Sequence, residues 1–322
     1  MLQYVARRLL ICIIILFGVS IMFYALIRMM PGDYVTNTMA NNPNVTEDMV
    51  LSLNKAYGLD KGVVEGYMDW LSNAIKGDFG TSFIYKKPVT EVIASKMWIS
   101  FSLAATAFVF QLLIAIPLGI ISATKQYSKT DYALTTFALV GISLPAFFFA
   151  AILQKFLAVD LRLFPLQGMI TAREDYEGFR LLVDIAWHFC LPIIVFVVTG
   201  IGGYMRYVRT NMLDVINSDY IRTARAKGLS ESKVIYKHAF RNTLIPIVTM
   251  IGGTIPTLFS GAIITEGIFS IDGVGKTAFD AVKSGDIPFM MGFMVFIAVL
   301  TLLGTLISDL LYGIVDPRVK LD

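Results

Sequence analysis

Charge is what this sequence has least of. Asp, Glu, Lys and Arg together make up 16% of the 322 residues, against about 25% in an ordinary soluble domain. Their absence is concentrated. Six windows carry no charged residue for 18 positions or more: 9–27, 97–124, 132–154, 185–205, 242–265 and 287–308. Crossing a hydrocarbon layer of roughly 30 Å takes about 20 apolar residues in a helix. Six such windows exclude a soluble protein. They are also two to three times too long for the strands of a membrane barrel and lack its apolar–polar alternation. Helices satisfy every backbone donor internally, as hydrocarbon requires. The expectation is an all-α polytopic membrane protein in one domain over 1–322, with spans at about 9–29, 98–122, 132–157, 187–206, 244–265 and 288–312.

Cysteine and histidine are scarce as well, with two of each. Cys12 and Cys190 both fall inside spans, so no disulfide framework is implied. His188 and His238 lie on opposite sides by this topology and cannot share a metal. There is no H-E-x-x-H motif, no G-x-S-x-G elbow and no pair of intramembrane carboxylates. No catalytic chemistry is visible, and the expectation is a protein that is not an enzyme and holds no cofactor.

What charge there is falls unevenly. The N-terminus, the 125–131 turn, the 206–241 loop and the C-terminal tail share one side, with 14 Lys/Arg against 6 Asp/Glu. The segments 31–96, 160–184 and 266–286 carry 11 against 17. Basic residues in short loops face the cytoplasm, so both termini are expected there, and the basic loop calls for no nucleic-acid partner. Arg7 and Arg8 before an apolar run suggest a secretory signal, but 19 uncharged residues exceed the usual 7–15 and no small-x-small site follows before Pro31. A retained first span is expected. It ends at Pro31-Gly32-Asp33, and the polar stretch 34–96 reads as an outer cap of short helices, with helical spacing at Asn54–Tyr57 and over 63–75.

One motif tempts and then fails. Gly273-Val274-Gly275-Lys276-Thr277 has the end of a phosphate-binding loop, but Ser270 stands where its first glycine belongs, and the segment lies outside, between two spans. Asp309, in the last span, sits near the cytoplasmic end, where snorkelling or pairing accounts for it. The loop at 207–243 is more specific. Ser218 or Asp219 suits a helix N-cap and Gly228 a C-terminal stop, so Asp219–Gly228 encloses a helix of about nine residues. Tyr220, Ala224 and Lys227 share a face at i, i+4, i+7, and Ala224 permits close approach by another surface.

This loop, Asp219-Tyr-Ile-Arg-Thr-Ala-Arg-Ala-Lys-Gly228 followed by His238, Arg241-Asn242 and Pro246, resembles the EAA-type loop of bacterial ATP-binding-cassette (ABC) importer permeases of the oligopeptide, dipeptide and nickel family. The resemblance runs through Pro31-Gly32-Asp33, Gly58-Leu59-Asp60, Gly77-Asp78-Phe79-Gly80, Glu266-Gly-Ile-Phe269, Gly273-Val-Gly275, Asp309 and Asp316-Pro317-Arg318. Arg222-Thr223-Ala224 stands where the general pattern has Glu-Ala-Ala, and Tyr34 where the family has proline. The resemblance implies a type I ABC importer permease fold in the bacterial cytoplasmic (inner) membrane, surrounded by lipid. It implies a second homologous permease, two ABC ATPases that bind ATP and magnesium, and an extracytoplasmic substrate-binding protein. Asp219, Tyr220, Ala224, Ala226, Lys227 and Gly228 would form the helix that couples to an ATPase. Oligopeptides are the expected cargo, with dipeptides, a nickel chelate or a sugar oligomer as the alternatives within the family. An ATP-independent secondary transporter is the alternative outside it, and the repeats and midplane charges of that class are not evident.

Overall fold

The computed structural model describes residues 2–29, 34–39, 46–56 and 58–315, and those residues are mostly helical. Among them five helices are long and apolar enough to cross a membrane, and six spans result when one bent pair is taken together. The first, α1 (Leu2–Met29), leads to three short helices, α2 (Tyr34–Met39), α3 (Glu47–Ala56) and α4 (Val63–Ala74). Pro31, Gly32 and Asp33 lie outside the described residues, as does Tyr57.

Two helices are longer than any bilayer needs. α5 (Val89–Thr124) has 36 residues and α8 (Gly178–Ile216) has 39, so at 1.5 Å per residue they extend about 54 and 58 Å. Charge-free windows mark where a helix meets hydrocarbon, not where it ends. α5 therefore takes in the last residues expected of the cap, and α8 starts ten residues before His188.

The stretch expected as one span at 132–157 is broken. α6 (Lys129–Ser143) and α7 (Ala146–Leu153) are bent by 97°. Leu144 takes extended backbone (ψ 121°), the conformation favoured before a proline, and Pro145 then starts the new helix. A π-helical stretch, Gln154–Asp160, completes this arm.

After α8 come α9 (Asp219–Ala226), the single turn α10 (Glu231–Lys233), a π-helical stretch at Val234–Ala239 and α11 (Phe240–Phe259). α12 (Ile263–Ile268) and α13 (Val274–Ser284) lie between the last two spans, and α14 (Ile287–Val315) closes the chain. Asp309 belongs to α14, while Asp316, Pro317 and Arg318 fall outside the described residues.

Four apolar clusters hold these elements. At the loop end, Ile120 and Ala123 of α5 meet Val208 and Met212 of α8, Ile221 and Ala224 of α9, and Ile247 of α11. At the cap end, Tyr24 of α1, Tyr67 of α4, Val92 of α5 and Phe289 of α14 share a second. The outer arm packs through Ala150, Phe189 and Phe269. Ala115, Ala138, Ile201 and Met205 join α5, α6 and α8 at mid-height. Small residues at such crossings let membrane helices approach closely.

Candidate functional site

The 207–243 loop folds into a short helix held by its own chain. Gly228 ends α9 with φ +74°, a left-handed conformation that glycine adopts without steric cost. Its N–H donates to Arg225 O at 2.9 Å. Across this turn Arg225 grips Glu231, with Nη2 donating to Oε1 at 2.7 Å and Nε to Oε2 at 3.2 Å. That bond holds the Glu231 carboxyl below the usual glutamate range and raises the arginine. Behind the helix, Asn242 Nδ2 donates to the Tyr220 hydroxyl at 2.8 Å.

The faces of α9 are not those the i, i+4, i+7 spacing suggests. Ala224 points inward and is 8% exposed, next to Ile221 at 0%. Lys227 lies beyond the last helical turn. All the other residues of the loop helix and its end, Asp219, Tyr220, Arg222, Thr223, Arg225, Ala226, Lys227 and Gly228, are exposed. A nine-residue window cannot reveal which side the long helices will cover, and they cover the Ile221–Ala224 side.

At the other end of the molecule, Glu266 is 1% exposed in α12. Its Oε1 accepts from Ser100 Oγ at 2.7 Å and from the Ala262 N–H at 3.0 Å. Its Oε2 accepts from the Lys276 N–H at 2.9 Å. Ser100 Oγ in turn accepts from the Val274 N–H at 2.9 Å. The Gly-Val-Gly-Lys segment thus begins a helix whose N-terminal donors face an anion, and that anion is the chain's own carboxylate. Gly273 is required by this closeness: a Cβ there would lie 2.7 Å from Glu266 Cδ. The Lys276 ammonium is 3.0 Å from Asp280, and this bond raises its pKa.

Two further buried acids escaped the sequence reading. Asp286 is fully buried and accepts from Ser82 Oγ at 2.6 Å, the Ile84 N–H at 3.1 Å and the Phe289 N–H at 3.2 Å. Asp184 accepts from both the N–H and the hydroxyl of Thr171, at 2.7 and 2.6 Å, and His188 Nδ1 lies 2.9 Å from Asp184 O one turn on. Their partners are far along the chain or on the backbone, so no motif advertises them. Between α5, α8 and α11 lies a cavity of about 210 Å³ lined by Gln111, Tyr204, Thr254, Thr257 and Glu266 among others. Among the described residues no cluster of three or more His, Cys, Asp or Glu would hold a metal.

A bundle of membrane-crossing helices, long helices projecting beyond the bilayer, and a short capped helix at their projecting end define a helical membrane transport subunit. The family model described as binding-protein-dependent transport system inner membrane component matches residues 115–321, and the N-terminal model for the membrane component of these systems matches 1–104. The chain belongs to this family. It is 39% identical to the oligopeptide transport system permease protein AppB of Bacillus subtilis (strain 168), over 99% of this chain and all of that one. It is 34% identical to the dipeptide transport system permease protein DppB of Escherichia coli (strain K12), over 99% of each. The di/tripeptide transport system permease protein DppB of Pseudomonas aeruginosa (strain UCBPP-PA14) is also 34% identical, over 99% of each. Among solved structures, an inward-facing form of the MetNI methionine ABC transporter matches with a TM-score of 0.57 at 15% identity, covering 70% of this chain and 97% of that one. That likeness bears out the type I importer permease fold. The chain is therefore a permease subunit of a bacterial inner-membrane ABC importer and not an enzyme.

Proposed function

We propose that this chain imports peptides, oligopeptides first, as one of two homologous permease subunits above a pair of ATPases. Its relatives at 34–39% identity over nearly their full length are named for oligopeptide, dipeptide and di/tripeptide transport, and this supports peptide over nickel chelate or sugar. An extracytoplasmic binding protein delivers the cargo, and ATP and magnesium are bound by the partner ATPases. Both termini and the α9 loop face the cytoplasm, consistent with 14 basic against 6 acidic residues on that side.

The observation that carries the coupling role is the attachment of α9. Ile221 and Ala224 are packed in the same cluster as α5, α8 and α11, while the opposite face stays open. A helix so anchored transmits displacement to three spans at once. Asp219, Tyr220, Ala226 and Lys227 would contact the ATPase. Gly228 would fix the helix end and Ala224 its inner packing. ATP-driven closure of the ATPases draws two such helices together and tilts the spans outward. The binding protein must also favour one state, since ligands shift such equilibria only through differential affinity.

The test is a pull-down of this chain in mild detergent, with mass spectrometry of what remains bound. A second permease and ATPases are expected, and the recovered binding protein is then screened with peptides and with nickel. Recovery of the chain alone, with ATP-independent transport in liposomes, would replace this reading with a secondary transporter.

A further inference from the structure

Two cavities meet beneath the cap. The upper one, about 200 Å³, is lined by Arg28, Lys61, Asp69, Trp70, Asp78 and Phe79 among others. The lower one, about 310 Å³, is almost wholly apolar and runs between α1, α4 and α14 past Ile13, Phe17, Trp70, Ala74, Phe79 and Val295. Trp70 and Phe79 line both, so a polar chamber and an apolar groove lie side by side against the same two rings. Ile13 and Phe17 are 67% and 48% exposed on the bilayer-facing side of α1. The groove is therefore open to lipid and not enclosed by protein.

From this adjacency we infer a site for one phospholipid with an ethanolamine head group, in the leaflet opposite α9. Length supports it. From Ile13 to Arg28 is 15 residues of helix, about 22 Å, and one leaflet with its head groups is about 20–22 Å thick. Charge supports it as well. Lys61 and Asp69 are paired with each other, and the chamber also carries Arg28 and Asp78, one charge of each sign, so it is matched to a head group that carries both. The phosphate faces Arg28, whose Nη2 donates to the Leu59 and Lys61 carbonyls and which, among the described residues, shows no further bond from its five N–H donors. The amine faces Asp78, whose Oδ1 accepts only the Gly80 N–H among the described residues. A purely anionic head group would set its charge against Asp78 with no amine to answer it.

At the junction, Trp70 Nε1 is buried and finds no hydrogen-bond partner among the described residues. Buried indole N–H groups ordinarily have one, and a glycerol ester or phosphate oxygen at this depth supplies it. One acyl chain then lies in the groove under α4, securing the cap to α1 and α14.

The test uses the assembled importer in nanodiscs of equal phosphatidylethanolamine and phosphatidylglycerol, released for native mass spectrometry. We expect one ethanolamine lipid per copy of this chain, enriched at least tenfold over the glycerol lipid. The variant pair Arg28→Gln/Asp78→Asn should bring the ratio to that of the bulk. Ala74→Phe, which fills the groove and leaves the charges intact, should reduce retention at least fivefold. Only complexes that stay monodisperse with their ATPases are compared. As an independent reading, the chain carrying Trp98→Phe and Trp187→Phe should show Trp70 fluorescence quenched at least twice as strongly by brominated ethanolamine lipid as by brominated glycerol lipid. Bulk lipid ratios in the unaltered complex, preferential retention of the glycerol lipid, or equal quenching by the two lipids would overturn the proposal.

Discussion

Arg209 clasps Asp131 with two parallel bonds, Nε to Oδ1 at 2.9 Å and Nη2 to Oδ2 at 2.8 Å. This pair locks the α8 extension to the start of α6, and it does more than join two helices. Ser122 of α5 donates to the same carboxylate. So does the N–H of Tyr127, at 3.0 Å, a residue held at φ +61°, where a non-glycine side chain is uncommon. One buried acid thus ties three helices and a strained turn into a corner beside α9.

Removing one member of a buried pair leaves the other uncompensated, which costs about 3–5 kcal/mol. Asp131→Ala should reach that range, because Tyr127 and Ser122 lose their acceptor together with Arg209. Arg209→Ala should cost somewhat less, since its side chain is 24% exposed while that of Asp131 is 4% exposed. Thermal unfolding of the purified complex checks both. A double variant destabilised by much less than the sum of the two singles is the expected sign of their coupling.

Glu266 invites a sharper substitution. Glu266→Gln keeps the volume but replaces an acceptor oxygen with an amide donor, facing the Lys276 N–H or the Ser100 hydroxyl. One buried donor is then unsatisfied, at about 1–3 kcal/mol. Gly273→Ala should be at least as damaging, because its Cβ meets the carboxylate itself. Peptide uptake and the melting temperature should fall together in both variants, and an unaltered melting temperature in either would contradict this geometry.

The Arg225–Glu231 bridge gives a pH dependence. Glu231 titrates below its ordinary range, so its contribution is complete above the unfolded value of about 4.3 and is lost as pH falls through the lower folded value. The side chains are 41% and 57% exposed, and water screens such pairs to about 1 kcal/mol or less. Glu231→Gln should therefore lower the melting temperature by a small, constant amount between pH 6 and 8. That difference should shrink as pH falls below about 4.

These sites show what could be read in advance. Six charge-free windows located the spans because hydrocarbon penalises charge at every position. The same criterion is blind to proline, so the 97° break at Leu144–Pro145 was invisible, whereas Pro117 and Pro192 sit inside continuous helices. Glu266, Gly273 and Gly275 were picked out by resemblance, but Ser100, which joins Glu266 to the Val274 N–H between the two glycines, lies 166 residues from Glu266. Asp131, Asp184 and Asp286 were missed for a related reason. Asp131 is held by an arginine 78 residues away, and Asp184 and Asp286 by backbone N–H groups and hydroxyls, which leave no residue-type pattern. The α9 helix was legible from its glycine and from Ser218, which takes the N-cap position although its hydroxyl donates back to Val215 O and not to the helix, while its inward face depended on helices a short window does not contain.

That inward face changes how the coupling role is best tested. Ala224→Arg drives a charge into the Ile221 cluster and would destabilise the permease whether or not α9 meets an ATPase. Thr223→Arg and Ala226→Arg alter only the exposed side, so the fold and its melting temperature should hold. If that side seats in an ATPase groove, either variant should lower transport at least tenfold and weaken ATPase retention in a pull-down. Gly228→Pro acts differently. Proline cannot adopt φ +74°, so the turn gripped by Arg225 and Glu231 must open and α9 loses its orientation. Uptake should vanish while the ATPases continue to hydrolyse ATP without stimulation by the loaded binding protein. Full uptake in all three variants would place the coupling surface elsewhere than on α9.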